Sequence, residues 1–86
     1  MSPREIRDVV IQALRSVAPE SDPASLSDTA RLRDELDLDS MDFLNFVVAV
    51  HTALHVDIPE ADYTKVQTLG GAVSYLASKV EQREPT

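Results

Sequence analysis

The apolar residues of this chain recur on helical spacing and nowhere on strand spacing. Ile6, Val9, Val10, Ala13, Leu14 and Val17 fall at i, i+3, i+4, i+7, i+8 and i+11, which lines them along one face of a helix. Leu69, Ala72, Val73, Leu76, Ala77 and Val80 repeat that register. No stretch alternates with period two for long enough to make a strand. The spacing therefore predicts an all-α fold with an amphipathic helix at each end, over 3–17 and 69–82. Ser2 caps the first, with Pro3 at the first helical position and Glu5 completing a capping box. Pro19 ends it, because the residue before a proline is pushed out of the helical region. Thr68 is the expected cap of the last helix. Gly70 and Gly71 each cost up to about 1 kcal/mol in a helix interior and less in a first turn, and their missing side chains are expected to let another segment approach closely. "IPEADYTKV" reads as a short helical turn entered at Pro59, over 59–65.

Size and charge bound the function. At 86 residues the chain reads as one domain, 1–86, near the size where a lone core is only marginally stable. It has no cysteine, so neither disulfides nor thiolate metal sites assist it, and the redox compartment stays open. Its formal net charge of -7 argues against nucleic acid and anionic membranes and favours basic protein surfaces. No apolar run reaches the roughly 18 residues that span a bilayer, and "MSPREIRDVV" lacks the cationic-then-apolar order of a secretory signal. The expectation is a soluble, cytoplasmic monomer.

Residues 18–38 read as a long connection, unusual in a compact domain unless something anchors it. Leu26, Leu32, Leu36 and Leu38 are candidate anchors, and Ser27 or Asp28 could cap a brief turn through "TARLRDEL". The preferred reading is a loosely packed loop with its leucines tucked under it.

A third long helix is expected over 40–55. Asp39 caps it, and Asp42 lies three residues on, where a carboxylate also suits the positive end of the helix dipole. At about 100° per residue its apolar residues divide into two stripes. Phe43, Phe46, Val47, Val50 and Leu54 form one arc, suited to a core. Met41, Leu44 and Val48 form another, centred about 140° away, with His51 and His55 continuing that side. A domain this small has one core to face. The second stripe is either wrapped by the long loop or left open to a partner, and the pattern does not separate these.

Ser40 stands at the edge of the second stripe, between an acidic run and the helix, in "DELDLDSMDFLNFVVAVH". A nucleophilic serine needs a base within reach. His51 lies three turns along the helix, roughly 16 Å away on the rise, and His55 farther still. No glycine-rich elbow surrounds the serine, so hydrolase chemistry is disfavoured and no catalytic residue is expected. A calcium loop also fails: counted from Asp37, the sixth position is Asp42 in place of glycine and the twelfth is Val48 in place of glutamate. No metal site is expected. By itself, Asp39-Ser40 reads as an ordinary helix cap.

Its context reads otherwise. "LDLDSMDFL", a serine opening an apolar helix after a leucine-anchored loop, resembles the prosthetic-group site of acyl carrier proteins, which carry Asp-Ser-Leu or Asp-Ser-Met there. The resemblance extends over the first helix, "LRDELDLDSMD", "VDIPEADY" and "VQTLGGAV". It implies an up-down four-helix bundle with a short third helix and a long first loop. It also implies a covalent 4'-phosphopantetheine arm, drawn from coenzyme A and joined through a phosphodiester to Ser40, whose thiol carries acyl groups as thioesters. The carrier would then be no enzyme, and its reactive sulfur would come from the cofactor. Asp39, Met41 and Asp42 would meet the phosphopantetheinyl transferase. Leu44, Asn45, Val48, His51 and Thr52 would face acyl-loading and acyl-processing enzymes through basic or apolar docking patches.

There is one departure. Fatty-acid-type carriers usually present glutamates along the second helix, where this chain has Asn45, His51, Thr52 and Ala53. No lysine or arginine occurs from Asp34 through Tyr63, yet the acids lie before and after the helix. That pattern points to a discrete carrier in a specialised lipid, polyketide or other secondary pathway. An aminoacyl or peptidyl carrier is the nearest competitor, and an unmodified helical interaction module the competitor from another class.

Overall fold

The computed structural model describes residues 2–83; the expected domain limits at residues 1 and 86 lie outside that range. In chain order the elements are α1 (Pro3–Val17), a 3-10 turn (Pro23–Ser25), α2 (Leu32–Glu35), α3 (Ser40–Leu54), a 3-10 helix (Glu60–Val66) and α4 (Leu69–Arg83). The fold is all-α. Its bundle is formed by α1, α3, α4 and the short 3-10 helix, with α1 packed on both α3 and α4 and the 3-10 helix packed on α4.

Local chemistry sets the helix limits. Ser2 Oγ accepts from the Glu5 N–H while Glu5 Oε1 accepts from the Ser2 N–H at 2.8 Å, the capping box the sequence predicts. That backbone bond holds the Glu5 carboxyl below its usual range. At the start of α4, Thr68 Oγ1 accepts from the Gly71 N–H at 3.0 Å. The third helix closes one residue short of the expected limit, because His55 adopts the left-handed conformation at φ 57° and caps it.

One cluster of buried side chains joins the elements. Ile6, Val10 and Leu14 of α1 meet Phe46, Val50 and Leu54 of α3 and Leu69, Ala72 and Leu76 of α4, all nearly or fully buried. Because α1 faces two helices, its buried surface is wider than a single stripe. Ile11 is buried, while Val9 and Val17 are only partly so.

The first connection is more ordered than the sequence suggests. Leu32 and Leu38 are buried in the core cluster, and Leu26 and Leu36 pack against it. Neither Ser27 nor Asp28 caps the turn that follows. The α2 turn begins after Arg31 with no side-chain cap; Ser27 and Thr29 hydroxyls bond each other at 3.3 Å. Asp28 instead pairs with Arg7 at 3.0 Å. A backbone seam fastens this segment to α4: Leu32 N–H donates to Gln67 O at 2.8 Å, Leu69 N–H to Ala30 O at 3.2 Å, and Gly70 N–H to Asp28 O at 2.8 Å. The close approach expected at the glycines is found at both: an added Cβ would lie 2.9 Å from Asp28 Cβ at Gly70 and 2.9 Å from Lys65 O at Gly71.

The segment after α3 is a seven-residue 3-10 helix entered from Pro59. That is long for this geometry, and tertiary contacts hold it. Val66 is buried, the Tyr63 ring meets Phe43 edge-on at 5.7 Å, and the Tyr75 hydroxyl donates to Asp62 Oδ2 at 2.6 Å.

Candidate functional site

Ser40 is the first residue of α3 and is exposed. Asp39 caps the helix: its Oδ1 accepts from the Asp42 N–H at 2.8 Å, and Asp42 Oδ2 accepts from the Asp39 N–H at 3.4 Å. The two carboxylates that flank the serine are thus tied to backbone donors in a second capping box. They fix the first turn of α3 and leave the hydroxyl between them uncovered.

A charged neighbour of that hydroxyl comes from the connection. Arg33 Nη2 donates to Ser40 Oγ at 3.4 Å, and the guanidinium lies 6.0 Å from the Phe43 ring centre. Arg33 rides on α2, whose Leu32 is fully buried, so the core holds the arginine beside the serine. Sequence reasoning missed Arg33. Its signal was present, since Arg33 is the last cation before the cation-free run from Asp34 through Tyr63.

Beside Ser40 opens a shallow groove lined by Arg33, Ser40, Phe43, Leu44, Glu60 and Tyr63. A second groove continues along α3, lined among others by Leu44, Val48, His51, Asp57 and Tyr63. The two share Leu44 and Tyr63, so the exposed stripe of α3 lies along a continuous trough against the 3-10 helix. Among the expected partner-binding residues, Leu44, Val48 and His51 meet there. Met41, Asn45 and Thr52 are exposed but line neither groove.

The two stripes of α3 separate as their angles predict. Met41, Leu44 and Val48 are 64%, 42% and 52% exposed, whereas Phe43, Phe46, Val47, Val50 and Leu54 are buried. The long first loop does not wrap the outer stripe. His51 is exposed and is committed to the end of its own helix: its Nδ1–H donates to Val56 O at 2.9 Å and faces Asp57 Oδ1 at 3.2 Å. Among the described residues no cluster of acids and histidines could hold a metal ion, and no helix is long and apolar enough to cross a membrane.

An exposed hydroxyl on a rigid first turn, flanked by tethered carboxylates and reached by one guanidinium, fits a covalent phosphate-linked group. Comparison with known proteins bears on the family. The family model for the phosphopantetheine attachment site matches residues 6–76. The chain is 31% identical over 72 residues to an acyl carrier protein of Brachyspira hyodysenteriae, covering 84% of this chain and 87% of that one. It is 29% identical over 77 residues to an acyl carrier protein of Thermotoga maritima, covering 86% and 95%. A mitochondrial acyl carrier protein of Neurospora crassa is 28% identical over 75 residues, which span 87% of this chain and 56% of that longer one. With a match over most of its length and relatives that share its extent, the chain belongs to the acyl carrier protein family, whose prosthetic group is 4'-phosphopantetheine.

Proposed function

We propose that this chain carries acyl groups on a 4'-phosphopantetheine arm attached to Ser40, in a specialised lipid, polyketide or other secondary pathway. One observation carries the site: within the matched region, Ser40 presents an exposed hydroxyl at the start of α3, between two carboxylates that the capping box holds in place. In loading, Ser40 Oγ takes the phosphopantetheinyl group of coenzyme A, adenosine 3',5'-bisphosphate leaves, and the serine proton passes to a base on the transferase. The arm, when bound, ends in a thiol that holds an acyl group as a thioester, which a chain without cysteine cannot supply itself. The residues around it place the arm and identify the carrier to its enzymes. The chain performs no catalysis of its own.

Asp39, Met41 and Asp42 surround the serine and are the surface the transferase meets. Leu44, Val48 and His51 lie along the trough, with Asn45 and Thr52 on its flank, and these face the acyl-handling enzymes. The helix positions that hold glutamates in fatty-acid-type carriers are neutral or histidine here, at Asn45, His51, Thr52 and Ala53. Docking therefore leans on the apolar stripe, and that supports partners dedicated to this carrier.

Intact mass tests the assignment. Incubation with coenzyme A and a promiscuous phosphopantetheinyl transferase adds one arm to the wild type and none to Ser40→Ala. Modification that persists in the alanine variant moves the site elsewhere, and no gain in either identifies an unmodified interaction module. Loading assays with acyl and aminoacyl ligases then separate an acyl carrier from an aminoacyl one.

A further inference from the structure

Arg33 makes no ion pair among the described residues, although it stands in the most acidic part of the chain. Among the described residues Arg7 pairs with Asp28 and Lys65 with Asp62, His51 faces Asp57, and none of these contacts involves Arg33. Its neighbours include Asp34 and Asp37, which line a groove with Arg31 and Arg33, as well as Asp39 and Asp42 at the cap. Yet its guanidinium turns to a neutral oxygen, Ser40 Oγ, at 3.4 Å. That distance is long for a hydrogen bond, whose N–H···O mode is about 2.9–3.0 Å. A planar guanidinium offers paired donors that suit the two free oxygens of a phosphodiester far better than a lone hydroxyl.

We infer that Arg33 is a positioning residue for the prosthetic group, its guanidinium pairing with the phosphodiester that joins the arm to Ser40. The inference rests on the assignment of Ser40 as the attachment site. A group bonded to Oγ carries its oxygens two bonds away, within reach of a donor that already touches Oγ. Three features keep the donor there: Leu32, buried in the preceding position; Arg33 O, which accepts from the Leu38 N–H at 2.9 Å; and the Phe43 ring under the guanidinium.

The charge balance gives the pairing a purpose. Five carboxylates lie between Asp34 and Asp42, and loading adds one more negative charge at Ser40. Without Arg33 the phosphate joins the flanking carboxylates with the dipole of the α3 N-terminus as its main offset. With it, the root of the arm is neutralised on the side of the groove formed by Phe43, Leu44, Glu60 and Tyr63.

The test compares apo and fully loaded protein for the wild type, Arg33→Gln, Arg33→Lys and Arg31→Gln, with loading verified by intact mass. The quantity read is the melting temperature of the loaded form minus that of the apo form. An exposed charge pair in a domain this small is worth about 3 °C. The loading increment is therefore expected to fall by about 3 °C in Arg33→Gln, to recover in part in Arg33→Lys, and to stay at the wild-type value in Arg31→Gln. The 31P resonance of the phosphodiester is expected to move in Arg33→Gln and to hold in Arg31→Gln. A merely structural arginine shifts apo and loaded proteins equally and leaves the phosphorus signal in place, and that result overturns the pairing. No mass gain in the wild type overturns the Ser40 assignment and the pairing with it; full loading with equal increments overturns the pairing alone.

Discussion

Replacing Gly70 with alanine sets two effects against each other, and the geometry decides between them. Helix propensity favours alanine by up to about 1 kcal/mol, and by less in a first turn. Against that, the new Cβ would stand 2.9 Å from Asp28 Cβ and 3.0 Å from Asp28 O. Carbon atoms pack best at about 3.5–4.0 Å, so the seam must open by roughly 0.6–1 Å. The Gly70 N–H bond to Asp28 O, at 2.8 Å, would then stretch past the ordinary limit of about 3.2 Å. The neighbouring bond from Leu69 to Ala30 O, already 3.2 Å, has little slack. Losing one or two such bonds costs about 1 kcal/mol each. After a first-turn propensity gain of about 0.5 kcal/mol, the net is a loss of about 0.5–1.5 kcal/mol, or roughly 2–12 °C in melting temperature. The assay is thermal unfolding followed by circular dichroism, with amide hydrogen exchange at Leu32, Leu69 and Gly70 to locate the loosening. The double variant Asp28→Gly/Gly70→Ala should show a smaller penalty than the two single changes summed, because one of the clashing carbons is gone. A Gly70→Ala protein that melts at or above the wild type, with those amides still protected, would refute the reasoning.

Other outcomes follow from the same structure. Phe46→Ala should cost roughly 3–5 kcal/mol, a large share of the stability of so small a domain, whereas Leu44→Ser and Val48→Ser should stay within about 0.5 kcal/mol of wild type and slow acyl transfer instead. If both serine variants melt as early as Phe46→Ala, the stripe is core and the docking role fails. The pH response should centre on the Tyr75–Asp62 bond. The Tyr75 hydroxyl holds the Asp62 carboxyl below its ordinary 3.8, so this stability is present above that value and drains away as pH falls through the lower folded value. Burial, then Asp62, pushes Tyr75 from 10.0 up to about 12, so its share is intact below pH 10 and is lost as pH rises through about 12. Tyr75→Phe should flatten the melting curve against pH at both extremes, and a variant that parallels the wild type throughout would dismiss the bond. Moderate salt should raise the melting temperature of a chain with net charge -7 by screening the Asp34–Asp42 cluster; a melting temperature indifferent to salt would show that cluster to be too dispersed to matter.

The long helices were legible because spacing and caps agreed. Ser2 with Glu5 and Asp39 with Asp42 sit three residues apart, and both boxes form. The division of α3 into a core arc and an outer stripe followed from helical angle alone. What periodicity could not convey was the first connection. The α2 turn covers four residues and starts without a cap, so its existence depends on Leu32 reaching the core and on the seam to Gln67, partners far away in sequence. Arg33 escaped notice for the same reason. Its place beside Ser40 depends on how the connection folds back, and a single helical turn followed by the irregular residues 36–39 carries no periodic signal. The end of α3 at His55 was hidden because a histidine in the left-handed conformation is uncommon, and a glycine there would have been easier to read.

The seam between the first connection and α4 divides that connection into two parts with different freedoms. From Asp28 onward the backbone is pinned, and whatever moves it moves Arg33 and the approach to Ser40. Before Pro23, which is buried, the chain from Pro19 to Asp22 runs along the surface, with hydrogen bonds to the adjacent residues Ala18 and Ser25. Lengthening a flexible loop is cheap, about 0.6 kcal/mol for each doubling. Insertions between Pro19 and Asp22 would therefore be absorbed by solvent, without altering where the site helix begins. That stretch is the natural place to splice a tag, a fluorophore or a tether, and the place where related chains can differ in length while keeping the serine in register.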